Sequence, residues 1–223
     1  MEFDNIDLVI FDCDGVLIDS EGISANVLIG ALAKLGVIVN FDDFCQRFVG
    51  RSFPTVAKDL SVSFNLRLPD NFESEYRAEL LSAFERELRP TRDILSVLGQ
   101  LATPCCVATS SSPKRVIRSL EITELTGFFT GRVYTASEVS RGKPAPDLFL
   151  YAAQKMGADP ARCLVIEDSL PGVEAGLAAG MQVLRYIGGE HLKDRTLKHD
   201  PAVPSFDNWQ TFFQIAPALQ QRR

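Results

Sequence analysis

The sequence predicts an α/β protein, a doubly wound parallel sheet with an inserted α-helical cap. Three observations predict it. Short apolar runs alternate with helical patterns from Arg89 onward, the alternation that builds a parallel sheet covered on both faces. The N-terminal run Leu8-Val9-Ile10-Phe11 is continuously apolar, as a strand buried on both faces must be. The stretch 19–88 between that strand and the alternating part contains helical patterns and no convincing strand.

The elements follow in order. After Gly15, Ile23, Val27, Ala31 and Leu35 are spaced for one helix face, and Gly36 is a C-terminal stop. A segment from Phe41 to Phe48 breaks at Gly50-Arg51-Ser52, and Ser52 can cap a short helix with Pro54 in its first turn. A longer helix over 70–88 carries the stripe Phe72, Tyr76, Leu80 and Phe84. Ile94, Val97, Leu98 and Leu101 make the next helical stripe, and 104–109 reads as a strand. Val116, Ile117 and Leu120 form a helical face, and 132–135 is a short strand. The helix holding Leu148, Phe149, Ala152, Ala153 and Met156 stops at Gly157. Cys163-Leu164-Val165-Ile166 is a strand, Ser169 caps the helix 171–179, and 182–187 is a further strand. The core is then 1–18 with 89–223, and 19–88 is the cap, hinged near Ile18-Asp19 and Leu88-Pro90 over the sheet edge.

Composition narrows the function classes. The 223 residues are 46% hydrophobic and 23% charged, the balance of an ordinary globular protein. A net charge of -6 argues against nucleic acid as partner, but not against an anionic substrate once a cation is bound. The five Cys are odd in number and lack metal-type spacing, which disfavours both a disulfide framework and a zinc site. Cys105, Cys106 and Cys163 lie in apolar runs and read as small buried hydrophobes. Asp4, Asp7 and Asp12 interrupt the apolar N-terminus, so neither a membrane span nor a signal peptide is expected. The expected compartment is the cytoplasm, with no membrane partner, and the chain is expected to be a monomer or weak dimer.

The chemistry gathers at the strand ends. Open α/β sheets bind ligands at the carboxyl edge of their strands. There the first strand delivers Asp12-Cys13-Asp14-Gly15-Val16, the second Thr109, Ser110, Ser111 and Ser112, the third the loop Ser140-Arg141-Gly142-Lys143-Pro144, and the fourth Glu167, Asp168 and Ser169. Asp12 and Asp14 share a face if the strand continues, and two carboxylates there are costly without a partner. Four carboxylates on one edge repel one another, which calls for a divalent cation, and oxygen-only ligation suits Mg2+. Hydroxyls and an ammonium can hold phosphate oxygens. A carboxylate can act as a nucleophile through an aspartyl-phosphate, with a second acid protonating the leaving oxygen. The combination suits phosphoryl transfer on a small phosphorylated metabolite.

Taken in order, Asp12-Cys13-Asp14-Gly15-Val16, Ser110, Gly142-Lys143-Pro144 and Glu167-Asp168-Ser169 resemble the four signatures of the haloacid dehalogenase superfamily. Asp19-Ser20-Glu21, Ala145-Pro146-Asp147 and Gly172-Val173-Glu174-Ala175-Gly176 resemble its branch with a small helical cap, which holds sugar-phosphate phosphatases and β-phosphoglucomutase. The resemblance implies Asp12 as nucleophile and Asp14 as general acid/base. It implies a Mg2+ held by Asp12, the backbone carbonyl of Asp14, and Asp168, with Glu167 assisting directly or through water. Ser110 and Lys143 would grip the phosphoryl group, with Ser111 nearby. Thr109 and Ser111 compete with Ser110 for its role, and the position of Pro113 favours Ser110.

Departures from the family's other patterns sort the alternatives. Dehalogenases lack the second Asp, which is present here as Asp14. A β-phosphoglucomutase-like phosphotransferase would carry a cap His where this chain reads Glu21-Gly22-Ile23-Ser24, and cations where it has Val49 and Phe53. A phosphonatase would need a cap Lys, and Lys34 is misplaced for it. A non-catalytic ligand-binding protein of this fold would not need all four motifs. His191 and His199 are expected on surface loops near the C-terminus. The cap loop is expected to set selectivity, with Arg51 the best candidate to reach substrate, Arg47 and Ser52 lesser candidates and Phe53 walling the pocket. The expected activity is a Mg2+-dependent phosphatase of small phosphorylated sugars or sugar acids.

Overall fold

The computed structural model describes residues 3, 5–193 and 203–221. Six parallel strands form one sheet: β1 (Leu8–Phe11), β2 (Cys105–Thr109), β3 (Val133–Thr135), β4 (Cys163–Glu167), β5 (Gln182–Tyr186) and β6 (Ser205–Phe206), in the order β3-β2-β1-β4-β5-β6. The connection from β1 runs to one side and the later strands return on the other, so the reversal of strand order falls beside β1. That is the position where doubly wound sheets open a ligand crevice, and β1 leads straight into Asp12.

The unbroken apolar run of β1 is explained by burial on both faces. Leu8 and Ile10 join one apolar cluster with Cys106, Ala108 and Phe149, while Val9 and Phe11 join the other with Phe129 and Trp209. Alternate side chains point to opposite faces, so every position of such a strand must be apolar.

The stretch between β1 and β2 is helical throughout: α1 (Glu21–Lys34), α2 (Phe41–Arg47), α3 (Phe53–Phe64), α4 (Phe72–Glu87) and α5 (Ile94–Gln100). The stripe Phe72, Tyr76, Leu80 and Phe84 is buried as its spacing predicts, and α1 packs on α4. Where the chain leaves and re-enters the sheet layer, Ile18 bridges Pro90 and the amide of Asp19 donates to Arg89 O. The remaining helices are α6 (Pro113–Ile122), α7 (Thr126–Phe129), α8 (Asp147–Met156), α9 (Leu170–Ala178) and α10 (Phe212–Ile215).

Several local readings need correction. Ile117 is 54% exposed, because α6 turns Val116 and Leu120 inward at i, i+4 and leaves the next residue outside. Ser52 does precede α3, but its hydroxyl pairs with Thr55 Oγ1 instead of capping an amide. Ser169 caps α9 as expected, accepting from the Gly172 amide. The two-residue β6 and the short α10 are too brief to give a periodic signal. Among the described residues, no helix is long and apolar enough to cross a membrane.

Candidate active site

β1 places the first carboxylate. The ladder continues one residue beyond the strand, with the Asp12 amide donating to Ile166 O at 2.9 Å. This ties Asp12 to the end of β4, where Glu167 and Asp168 follow. Asp12, Glu167 and Asp168 each bring one carboxylate oxygen within 4.8 Å of the others, and all three residues are buried.

Lys143 neutralises part of this charge. Its Nζ donates to Asp12 Oδ1, to Glu167 Oε1 at 2.7 Å and to Ala108 O at 3.1 Å. The ammonium also lies 4.8 Å from the centroid of the Phe149 ring. Burial opposes the charge, but Asp12 and Glu167 outweigh it and hold the Lys143 pKa above the ordinary ammonium value. The second oxygen of Glu167 accepts from the amide and hydroxyl of Ser169 at 2.8 and 2.9 Å, which fixes that side chain at the start of α9.

Three carboxylates facing one ammonium leave an excess of buried negative charge. Burial pushes Asp12 well above the usual carboxylate range, and Glu167 and Asp168 add to the shift against the pull of Lys143. Burial and then Glu167 do the same to Asp168. Among the described residues no hydrogen bond reaches Asp168 Oδ2, although His191 Nε2 lies 2.9 Å away. An all-oxygen donor set with excess buried negative charge fits a hard divalent cation such as Mg2+.

Asp14 is set apart from this cluster. Its carboxylate accepts from Ser20 Oγ, Ser111 Oγ and Arg115 Nη2, each at 2.6 Å. Burial raises its pKa, but Arg115 and the two serines outweigh burial and lower it overall. Arg115 also donates to Ser24 Oγ at 3.1 Å and lies over the Phe84 ring at 5.2 Å. Ser24 Oγ in turn donates to Ser20 O, closing a ring that joins Asp14 to α1 and α4. The metal-binding part expected of Asp14 is its carbonyl, which is independent of where its carboxylate points.

Two glycines let the backbone approach closely. Gly15 has φ +80°, and a Cβ there would fall 2.1 Å from Asp168 Oδ2. Gly50 has φ +76°, and a Cβ there would fall 2.3 Å from Ser169 Oγ, so the loop between α2 and α3 rests directly on the sheet edge.

Above the carboxylates is a cavity of about 630 Å3. Asp12, Asp14, Thr109, Ser110 and Ser111 line its floor, and Phe44, Phe48, Arg51, Ser52, Phe53 and Tyr76 line it from the inserted helices. Ser110 Oγ donates to Gly50 O at 3.0 Å, so its hydroxyl is turned toward the inserted loop. Thr109 is buried and accepts from the Ser111 amide at 3.0 Å. Arg47 is not among the cavity walls: it pairs with Asp59 at 2.8 Å and lies over the rings of Phe48 and Phe64.

The reading of His191 as a surface residue is overturned. It is buried, beside Asp168 and packed against Gly189 and Gly15. Nothing in its local sequence signals this, because the contact forms across the strand ends. His199 lies outside the described residues. Arg115 was also missed, since one Arg in a helical pattern carries no mark of its partner 101 positions away.

The family model for haloacid dehalogenase-like hydrolases matches residues 6–180. The 6-phosphogluconate phosphatase of Escherichia coli is 27% identical over 189 residues, covering 84% of this chain and 86% of that protein. A phosphorylated carbohydrates phosphatase of Thermotoga maritima is 26% identical over 184 residues, covering 79% and 83%. The crystal structure of a HAD family hydrolase from Deinococcus radiodurans, with bound phosphate and sodium, superposes with a TM-score of 0.72 at 29% identity, over 99% of this chain and 100% of that one. With the family model spanning the sheet edge and all four motifs, the chain belongs to the haloacid dehalogenase-like hydrolases.

Proposed function

We propose that the protein is a Mg2+-dependent phosphatase of small phosphorylated sugars or sugar acids, acting through an aspartyl-phosphate on Asp12. The observation that carries this reading is the pairing of Asp12 with Lys143 beside a buried acidic cluster, at the floor of a cavity that Asp14 also lines. The names of the Escherichia coli and Thermotoga maritima relatives support the substrate class.

Asp12, Glu167, Asp168 and the carbonyl of Asp14 are the groups that would hold Mg2+. The ion would withdraw charge from the phosphoryl oxygens and neutralise the excess negative charge of the cluster. Asp12 attacks phosphorus, forming the Oδ–P bond as the bond to the ester oxygen breaks. Asp14 gives its proton to the departing alkoxide. It then takes a proton from water as the water oxygen bonds to phosphorus and the Oδ–P bond breaks, which releases orthophosphate and restores the Asp12 carboxylate. Arg115, Ser111 and Ser20 favour ionised Asp14, the form that activates water, so ester cleavage draws on its protonated fraction. Lys143, Ser110 and Ser111 are the groups assigned to the phosphoryl oxygens.

The segment 19–88 serves as the cap in this reading, moving about the crossing at Ile18 and Pro90 to admit substrate and exclude water. Arg51 and Ser52 meet the substrate's leaving group from the cap loop.

The test is phosphate release from a panel of sugar phosphates, sugar-acid phosphates and nucleotides, with Mg2+ or with EDTA, beside the Asp12→Asn variant. Release that needs Mg2+ and disappears in the variant supports the reading. A folded protein that releases phosphate from none of them contradicts it.

A further inference from the structure

Glu21 is a third carboxyl group of the cavity, beside Asp12 and Asp14, and the mechanism above does not use it. It opens α1, and the first turn of a helix is an ordinary place for a solvated Glu, where the dipole favours its charge. Here it is only 7% exposed and it lines the cavity. Among the described residues no hydrogen bond or ion pair to its carboxyl occurs, so the group faces the cavity with its capacity unspent.

Its surroundings decide what it can bind. Burial and the nearby Asp14 raise its pKa to about 8, which favours the protonated carboxyl. A neutral carboxyl both donates and accepts, which matches a hydroxyl group. The nearby Arg115 guanidinium is already committed to Asp14 at 2.6 Å. Asp14 is the group assigned to the ester oxygen, and Glu21 lines the same cavity close enough to Asp14 for the two to interact electrostatically.

We propose that Glu21 is a specificity-determining residue that binds a hydroxyl beside the phosphoester and so selects uncharged polyol or sugar monophosphates over esters bearing a carboxylate at that place. The inference rests on the phosphatase reading and narrows its substrate class. A carboxylate brought there meets the Glu21 carboxyl group, with Asp14 and Asp168 nearby and Arg115 already paired with Asp14. A site built around a hydroxyl rejects an analogue that lacks it, since the protein group is left unpaired.

The test compares wild type, Glu21→Gln and Glu21→Leu on three esters with Mg2+: a hexose 6-phosphate, 2-phosphoglycolate and p-nitrophenyl phosphate. Wild type should prefer the sugar phosphate to 2-phosphoglycolate by about a hundredfold in kcat/KM. Glu21→Leu should lose about tenfold to a hundredfold on the sugar phosphate, chiefly in KM, and keep its rate on p-nitrophenyl phosphate. Glu21→Gln, which also donates and accepts, should stay within a few-fold of wild type. Equal losses on all three esters, or no loss on the sugar phosphate, would overturn the inference.

Binding separates this inference from the one beneath it. Calorimetry on the Asp12→Asn background should show weaker hexose 6-phosphate binding with Glu21→Leu and unchanged binding of inorganic phosphate. Absence of turnover in wild type with that binding difference intact would remove the phosphatase reading and leave Glu21 as a hydroxyl-binding group. Identical hexose 6-phosphate affinities with and without Glu21→Leu would overturn the role of Glu21.

Discussion

The floor and the roof of the cavity are built on different principles. At and just behind the floor, Asp12, Lys143, Glu167 and Asp168 are buried at the ends of β1 and β4 and in the loop before α8, and Lys143 joins Asp12 to Glu167. On the roof, exposed Arg51 and the aromatic side chains of α2 to α4 face the opening, and Phe53 stacks on Tyr76 at 5.5 Å. A charge network inside a sheet tolerates little change, because removing one partner strands another charge. On the roof the exposed Arg51 can be replaced with little cost to the fold, whereas Phe44, Phe48 and Tyr76 belong to the buried core. The difference leads to the expectation that reaction chemistry and substrate choice are carried by separable parts of this chain.

Floor substitutions should therefore be the most damaging. Asp12→Asn should lower kcat by on the order of 10^4-fold or more, read as phosphate release, since it removes the proposed nucleophile. Lys143→Met should cost about 3–5 kcal/mol in denaturant unfolding, because it strands Asp12 and Glu167 without their common cation. A loss below about 1 kcal/mol would mean that the floor is far better solvated than its burial implies.

A roof substitution should act on binding. Arg51→Ala should raise KM by roughly tenfold with kcat nearly unchanged, and leave the unfolding free energy within about 0.5 kcal/mol of wild type. An equal fall in kcat would break the separation, by placing Arg51 in the transition state.

The mildest test concerns pH. Glu21 is raised in the folded state from an ordinary 4.5 to about 8. Its contribution to stability is complete below the unfolded value and is lost as pH rises through the folded one. Glu21→Gln should thus match wild type near pH 5 and exceed it near pH 9, by on the order of 2 kcal/mol. A constant difference across that range would show that the carboxyl is not desolvated.

The same division explains what the sequence revealed. The strand alternation, the parallel order and the residues delivered to the sheet edge were legible because each motif sits directly after an apolar run whose end is easily found. Ser169 was legible as a cap because capping is local. Arg115, His191 and the cavity-facing position of Glu21 were not, because each owes its role to partners distant in sequence: Asp14 for Arg115, Asp168 for His191, and the cavity floor for Glu21. Lys143 was found through its motif, whereas its burial between two carboxylates is a fact of packing alone.

The most direct measurement is acid-quench trapping of the phosphoenzyme, with a hexose 6-phosphate and Mg2+, followed by mass spectrometry of the peptide spanning 6–18. Phosphate on Asp12 in wild type, and none in Asp12→Asn, is the expected result. Phosphate on another residue, or turnover with no phosphoenzyme at any quench time, would contradict the assignment of the floor as the seat of the chemistry.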